Sequence, residues 1–185
     1  MIGSWLELAG NLTSNAMRCA LAEWPNRVAE SVVGATRRLR AGQPTGDGLT
    51  GRARRLLVLG EPLGERVDSE TDQPEGRVLL RLPELLRALE LPAGQTEVRV
   101  RRHPSEIAGK YEDVAAQWDL RSSVVGAKDR PLALDLAWAD IVLGFTSYAL
   151  YLASVCGLRC YSLAAMAGEP PSLPTVVVPE LTVAD

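Results

Sequence analysis

The only histidine of the chain, His103, stands in the stretch RRHPSE, between arginines and a proline. A histidine there, at the end of an alternating apolar segment, offers a ring N–H that can donate to a phosphate oxygen, with Arg101 or Arg102 supplying charge beside it. Pro104 holds the backbone after the histidine and can open a helix, Ser105 brings a hydroxyl, and Glu106 can cap that helix or contact a hydroxylated ligand. The competing reading is a histidine whose hydrogen bonds are satisfied within its own turn. Further along, Thr146 and Ser147 open the stretch TSYAL. Two adjacent hydroxyls and the free backbone N–H groups of a helix start form a small anion cradle, although helix capping alone accounts for one of them. A third candidate is GEPLGE, in which Gly60, Glu61 and Gly64 follow a short apolar run. Its glycines let backbone approach a ligand, but it lacks the lysine of a phosphate loop and the spacing of a dinucleotide fingerprint, so an ordinary turn competes with it.

These residues matter only if the elements around them bring them together. From Arg55 onward, strand-like and helix-like blocks alternate: RLLVLG, VLLRLPELLRALEL, TEVRVR, IAGKYEDVAAQWDL, SSVVG, RPLALDLAWA, DIVLGF, TSYALYLASVCG and LRCYSL. RLLVLG is apolar throughout, as a strand covered on both faces requires, and Pro83 places a helix start near Leu82. The alternation predicts an α/β fold: a single Rossmann-like domain with a mainly parallel sheet covered by helices on both faces. In such sheets ligands bind at the carboxyl ends of the strands, where Gly60, His103 and Thr146 are all expected to fall. A cleft lined by these three is therefore expected.

Residues 1–54 read differently. MRCALAEWPNRVAESVVGATRRLR has helical spacing around Pro25, with Asn26 as a cap, and AGQPTGDGLTG is a linker by composition. The expected division is a helical arm and Gly/Pro-rich linker over 1–54 and the Rossmann-like domain over 55–185, with a proline-rich tail crossing its surface.

Composition excludes several classes. Hydrophobic residues make up 46% of 185, enough for one sizeable core, so disorder of the whole chain is excluded. A net charge of -3 gives no global attraction to nucleic acid, and the arginine-dense segment TRRLRAGQPTGDGLTGRARR has no aromatic residue to stack on bases. No nucleic acid partner is expected. No segment approaches the roughly 18 uninterrupted apolar residues of a membrane span, and the opening has no basic leader. The three cysteines are an odd number and read as small core residues in a reducing compartment, so a cytoplasmic location is expected. Neither CGLRC nor any other stretch has the spacing of a metal site, and no Asp-x-Asp motif falls on a strand end, so no metal or cofactor is expected. A cysteine or serine hydrolase is disfavoured, because Cys156 ends a helix, Cys160 lies inside a strand and no glycine-x-serine-x-glycine elbow exists.

VRRHPSEIAGKYEDV, followed by LAWADIVLGFTSYALYLASVCGLRCYSL, resembles the C-terminal, nucleotide-sugar-binding half of glycosyltransferases with two Rossmann-like domains. It looks most like bacterial capsule and lipopolysaccharide transferases, including sialyltransferase-like members. The resemblance spans Arg55 to Leu163. It implies that His103 and Pro104, and Thr146 and Ser147, bind the phosphate of a CMP- or UDP-linked sugar, with the Gly60 and Glu61 loop, Ser105 and Glu106 beside them. It implies no catalytic base, because the acceptor domain that normally supplies one has no counterpart in the first 54 residues. A separate acceptor-domain subunit or a homo-oligomer is the corresponding partner expectation. The reading from a different class is a non-catalytic α/β interaction or ligand-binding domain that oligomerises through its arm, with Trp5 and Trp24 as anchors.

Overall fold

The computed structural model describes residues 25–43, 53–63, 73–170, 173 and 178–183. Gly64, Trp5, Trp24, Cys19, the expected linker beyond residue 43 and part of the proline-rich tail lie outside the described residues. Five strands, β1 (Arg54–Leu59), β2 (Thr96–Arg101), β3 (Arg121–Val125), β4 (Ile141–Gly144) and β5 (Arg159–Ser162), form one parallel sheet in the order β3-β2-β1-β4-β5. Among the described residues six α-helices accompany it: α1 (Pro25–Arg40), α2 (Pro74–Leu80), α3 (Leu82–Ala88), α4 (Glu112–Ala116), α5 (Leu132–Trp138) and α6 (Tyr148–Val155). The expected Rossmann-like α/β architecture is what the chain adopts.

Strand β1 shows why. Leu56 and Val58 point into a core shared with α2, α3 and α4, while Leu57 and Leu59 point into a second core built with α5 and α6. A strand in the middle of such a sheet has no solvent face, so each residue from Leu56 to Leu59 is buried. Helix α1 joins the second layer. Val33 is buried, Val32 packs on that core, Arg40 donates to the Ala139 carbonyl at 2.5 Å, and Arg37 donates to Val155 O at 2.9 Å. These guanidinium groups satisfy carbonyls that end α5 and α6.

Helix α3 starts at Leu82, where Pro83 was expected to place it, and the residues before it form a separate short helix, α2, opened by Pro74. Two local expectations are corrected. The helix expected from Ile107 to Leu120 is reduced to Glu112–Ala116, because Gly109 takes φ 97° in a turn that delays it. Asn26 lies inside α1, not before it.

The arginines of VRVRR divide by strand alternation. Val98 and Val100 enter the first core, while Arg99 and Arg101 turn to the opposite face and meet the fully buried Asp135 of α5. Arg99 Nη1 lies 3.1 Å from Asp135 Oδ1, Arg130 Nε 3.1 Å from the same oxygen, and Arg99 stacks 3.9 Å from the centre of the Trp138 ring. Arg101 also donates to Arg130 O at 2.7 Å and to Ala127 O at 3.1 Å, fastening the loop after β3. Arg101 is thus directed into the fold and not toward a ligand. Removing the carboxylate with Asp135→Ala leaves two largely buried guanidinium groups without their anion, and urea unfolding is expected to show a loss of about 3–5 kcal/mol. Equal stability of variant and wild type would show that this cluster does not hold α5 to the sheet.

Candidate functional site

Strand β1 is flanked by β2 and β4, and the crossovers on its two sides use opposite faces of the sheet, so the carboxyl ends of β1 and β4 flank a topological switch point. The loops leaving those two strands meet there. Thr146 N–H donates to Glu61 Oε2 at 2.7 Å, and Thr146 Oγ1 donates to Glu61 Oε1 at 2.6 Å. Ser147 is the N-cap of α6, its hydroxyl accepting from Leu150 N–H at 3.4 Å. Of the two residues expected to cradle an external anion, Thr146 donates to two oxygens of the chain's own carboxylate and Ser147 accepts as a helix cap. A carboxylate in front of a helix start is favourable for the same electrostatic reason as a phosphate.

His103 follows the end of β2. Its backbone N–H donates to Glu106 Oε2 at 2.6 Å, and its ring Nδ1 lies 2.8 Å from Ser105 Oγ. Ser105 N–H also donates to Nδ1, at 3.3 Å. Nδ1 is therefore an acceptor, and in the neutral ring the proton belongs to Nε2, which has no protein partner among the described residues. Pro104 does not open a helix: it begins a turn closed by Glu106 N–H to His103 O at 3.0 Å, with Pro104 and Ser105 exposed. Gln73, which precedes α2, provides no side-chain cap there.

Glu106 faces inward. Its side chain is only 2% exposed and accepts from the His103 backbone, from Tyr111 OH at 2.6 Å and from Lys110 Nζ. Lys110 in turn reaches Glu75 Oε1 of α2 at 2.6 Å. The Tyr111 hydroxyl also meets the backbone of Glu61. Burial and the neighbouring Glu106 charge push the Tyr111 phenol far above its ordinary range, so it remains a donor. Burial also raises the Glu75 carboxyl, against the lowering influence of Lys110. Gly60 is required by this cluster: a Cβ there would stand 2.7 Å from Tyr111 Cε2 and 3.0 Å from Glu106 Oε2. The close approach that its glycine permits is to Tyr111.

The structure thus groups the eight residues singled out from sequence into two arrangements: Gly60, His103, Pro104, Ser105 and Glu106 around the ends of β1 and β2, and Glu61, Thr146 and Ser147 between β1 and β4. Lys110, Tyr111 and Glu75 were missed. The four-residue interval from Glu106 to Lys110 is a pairing signal, whereas Glu75 lies on a distant helix and leaves none. A cleft of about 370 Å³ opens at another place, between α2 and the turn Ala165–Ala167 after β5, and none of the eight residues lines it. The described tail residues pair with β5, Leu181 N–H donating to Ser162 O at 2.8 Å.

Burial raises the Cys160 thiol to about 12 and lifts Cys156 as well, which makes both poor nucleophiles near neutrality. Among the described residues no group of three His, Cys, Asp or Glu side chains could hold a metal ion, and no helix is long and apolar enough to cross a membrane.

No family model matches the chain, and no curated protein matches it. Among solved structures it is similar to the Thermosulfurimonas dismutans KpsC, beta Kdo 2,4 transferase, at 19% sequence identity and a TM-score of 0.42. The match covers 76% of this chain and 45% of that one, so this chain spans less than half the length of that protein.

Two measurements check the site's internal chemistry. Gly60→Ala forces Tyr111 or the strand end to shift and is expected to cost about 1–3 kcal/mol in urea unfolding; an unchanged midpoint would mean that the close approach is not a constraint. Because the folded state raises the Glu75 pKa, the neutral acid is the form the fold prefers. Its contribution is present below the ordinary value of 4.5 and is lost as pH rises through the folded value. Unfolding curves across that range should show Glu75→Gln gaining stability relative to wild type as pH rises. A difference independent of pH would contradict the assignment.

Proposed function

We propose that this chain is the donor-binding half of a glycosyltransferase of cell-surface polysaccharide synthesis, taking the phosphate of a CMP- or UDP-linked sugar at the β1/β4 switch point. The observation that supports this best is the pair of hydrogen bonds from the Thr146 N–H and hydroxyl to the two oxygens of Glu61, at 2.7 and 2.6 Å. Two donors arranged for two oxygens of one anion suit a phosphate equally, and Glu61 keeps that place until the ligand's phosphate replaces it. His103, with Nδ1 occupied by the Ser105 turn, presents Nε2–H to a further phosphate oxygen. Ser147 orients the helix start, Pro104 and Ser105 hold the histidine, Glu106 holds the turn, and Gly60 allows the β1 and β2 ends to close together.

In the transfer reaction these donors stabilise the charge that develops on the departing nucleotide phosphate. The base that activates the acceptor hydroxyl comes from an acceptor domain or partner subunit. On this reading residues 1–54 and 55–185 form the arm and the donor domain, and the protein works in the cytoplasm, where nucleotide sugars are supplied. A reading as an interaction domain is favoured by one feature, Ile107, a large apolar side chain 69% exposed on the loop beside His103.

Calorimetric titration with CMP, UDP and GDP tests the proposal. One nucleotide is expected to bind saturably, about tenfold more weakly to His103→Ala and more tightly to Glu61→Ala, which removes the competing carboxylate. Absence of binding by all three to both wild type and Glu61→Ala at millimolar concentration would overturn it.

A further inference from the structure

The cleft between α2 and the turn after β5 is lined by none of the residues of the phosphate site proposed above. Pro74, Arg77, Val78 and Arg81 form one wall, and Met166, Ala167 and Gly168 form the other. Arg77 and Arg81 are four residues apart, so their side chains leave neighbouring turns of the same face, with Cβ atoms about 5–6 Å apart. Arg81 Nε is paired with Glu84 at 2.7 Å. The Arg77 guanidinium, on an exposed residue, meets no carboxylate among the described residues. Arg77 therefore brings to the cleft a positive charge that no described carboxylate pairs with.

The rest of the lining has a different chemistry. Val78 is buried in the first core, and Met166 and Ala167 pack against the same core, so the apolar floor of the cleft is anchored. Gly168, at φ 78°, turns the chain away at the rim, a conformation that a residue with a side chain rarely adopts. A volume of about 370 Å³ falls in the range of small-molecule sites. Planar guanidinium forks match both carboxylate and phosphate, and the apolar wall accepts a carbon skeleton.

We infer that this cleft is a second small-molecule site, which takes an anion of monosaccharide size carrying a phosphate or a carboxylate. Arg77 is its principal charge contact, Arg81 the second, and Met166 packs on the carbon skeleton. The inference does not depend on the proposed function, since its walls come from α2 and the turn after β5 whereas His103 and Thr146 follow β2 and β4.

The sequence provides a reporter for each site: His103 is the only histidine, and Met166 is one of three methionines, identified by Met166→Leu. Methyl and imidazole NMR spectra of the full chain would be followed during titration with glucose 6-phosphate, gluconate and neutral glucose at constant ionic strength. The Met166 methyl is expected to shift saturably with one or both charged compounds and not with glucose, and the compound that binds identifies phosphate or carboxylate as the recognised group. Arg77→Glu, on an exposed position, should keep the unfolding midpoint and weaken that binding at least about tenfold. A Met166 signal unmoved at about 10 mM of either anion, or moved equally in Arg77→Glu, overturns the inference. The His103 signal, followed separately with nucleotides, reports on the switch-point site, so failure at one site is read independently of the other.

Discussion

The carboxylate of Glu106 is the contact on which the carboxyl edge of the sheet depends. It accepts at once from the His103 backbone, the Tyr111 hydroxyl and the Lys110 ammonium. The reversal after β2 has few other means of holding its shape, since Pro104 lacks an N–H, Ser105 is exposed and α4 does not begin until Glu112. The Tyr111 ring then closes over the end of β1, which is why Gly60 has no room for a side chain. The residue after Gly60 is Glu61, whose side chain reaches Thr146. One buried charge thereby holds the ends of β2 and β1, and the following residue ties β1 to the loop after β4. Its cost is electrostatic, because Lys110 faces two carboxylates, Glu75 and Glu106. Burial raises the Glu75 pKa toward the neutral acid, with the Glu106 charge adding a little and Lys110 opposing.

On the opposite face the balance is reversed. Asp135 faces three guanidinium groups, two of them from β2. These arginines fix α5 and the loop after β3, so the positive charge that is dense around His103 in the sequence is largely directed away from the carboxyl edge. Under the function proposed above, anion recognition at the switch point would rely on oriented donors, the Thr146 N–H, its hydroxyl and the ring of His103, and not on a concentration of charge. Such donors act at short range and depend on geometry, which suits a site whose selectivity comes from position.

The layers of this fold were legible in the sequence because burial leaves a periodic trace. The unbroken apolar run of β1, the alternation in TEVRVR and the glycine after α6 each follow from one local rule, and each element formed near its expected place. What was not legible depends on residues distant in the chain. The VRVRR stretch looks the same whether its arginines face a ligand or Asp135, and only the placement of α5 decides between them. Glu106 offers a hydroxyl-binding carboxylate in sequence, yet Lys110, Tyr111 and the His103 backbone N–H hold it inward. One helix length failed for a nearer reason: Gly109 interrupts a periodic segment, and apolar spacing continues across it, whereas Pro83 marked the start of α3 at Leu82.

Glu61 gives the clearest case of a residue whose role changes with context. In sequence it belongs to a glycine-containing turn; in the fold both of its oxygens are taken by one residue of the next loop. A carboxylate held this way stabilises the helix start and keeps two donors aligned without an external ligand. Under the function proposed above, a phosphate entering the same place would recover both hydrogen bonds and keep a further oxygen for His103, a contact that the two Glu61 oxygens, both engaged by Thr146, do not provide. Binding would then be an exchange of one anion for another, favoured by that third hydrogen bond and opposed by release of Glu61. Specificity follows from the same exchange, because an anion unable to make more contacts than the carboxylate it displaces has no net advantage.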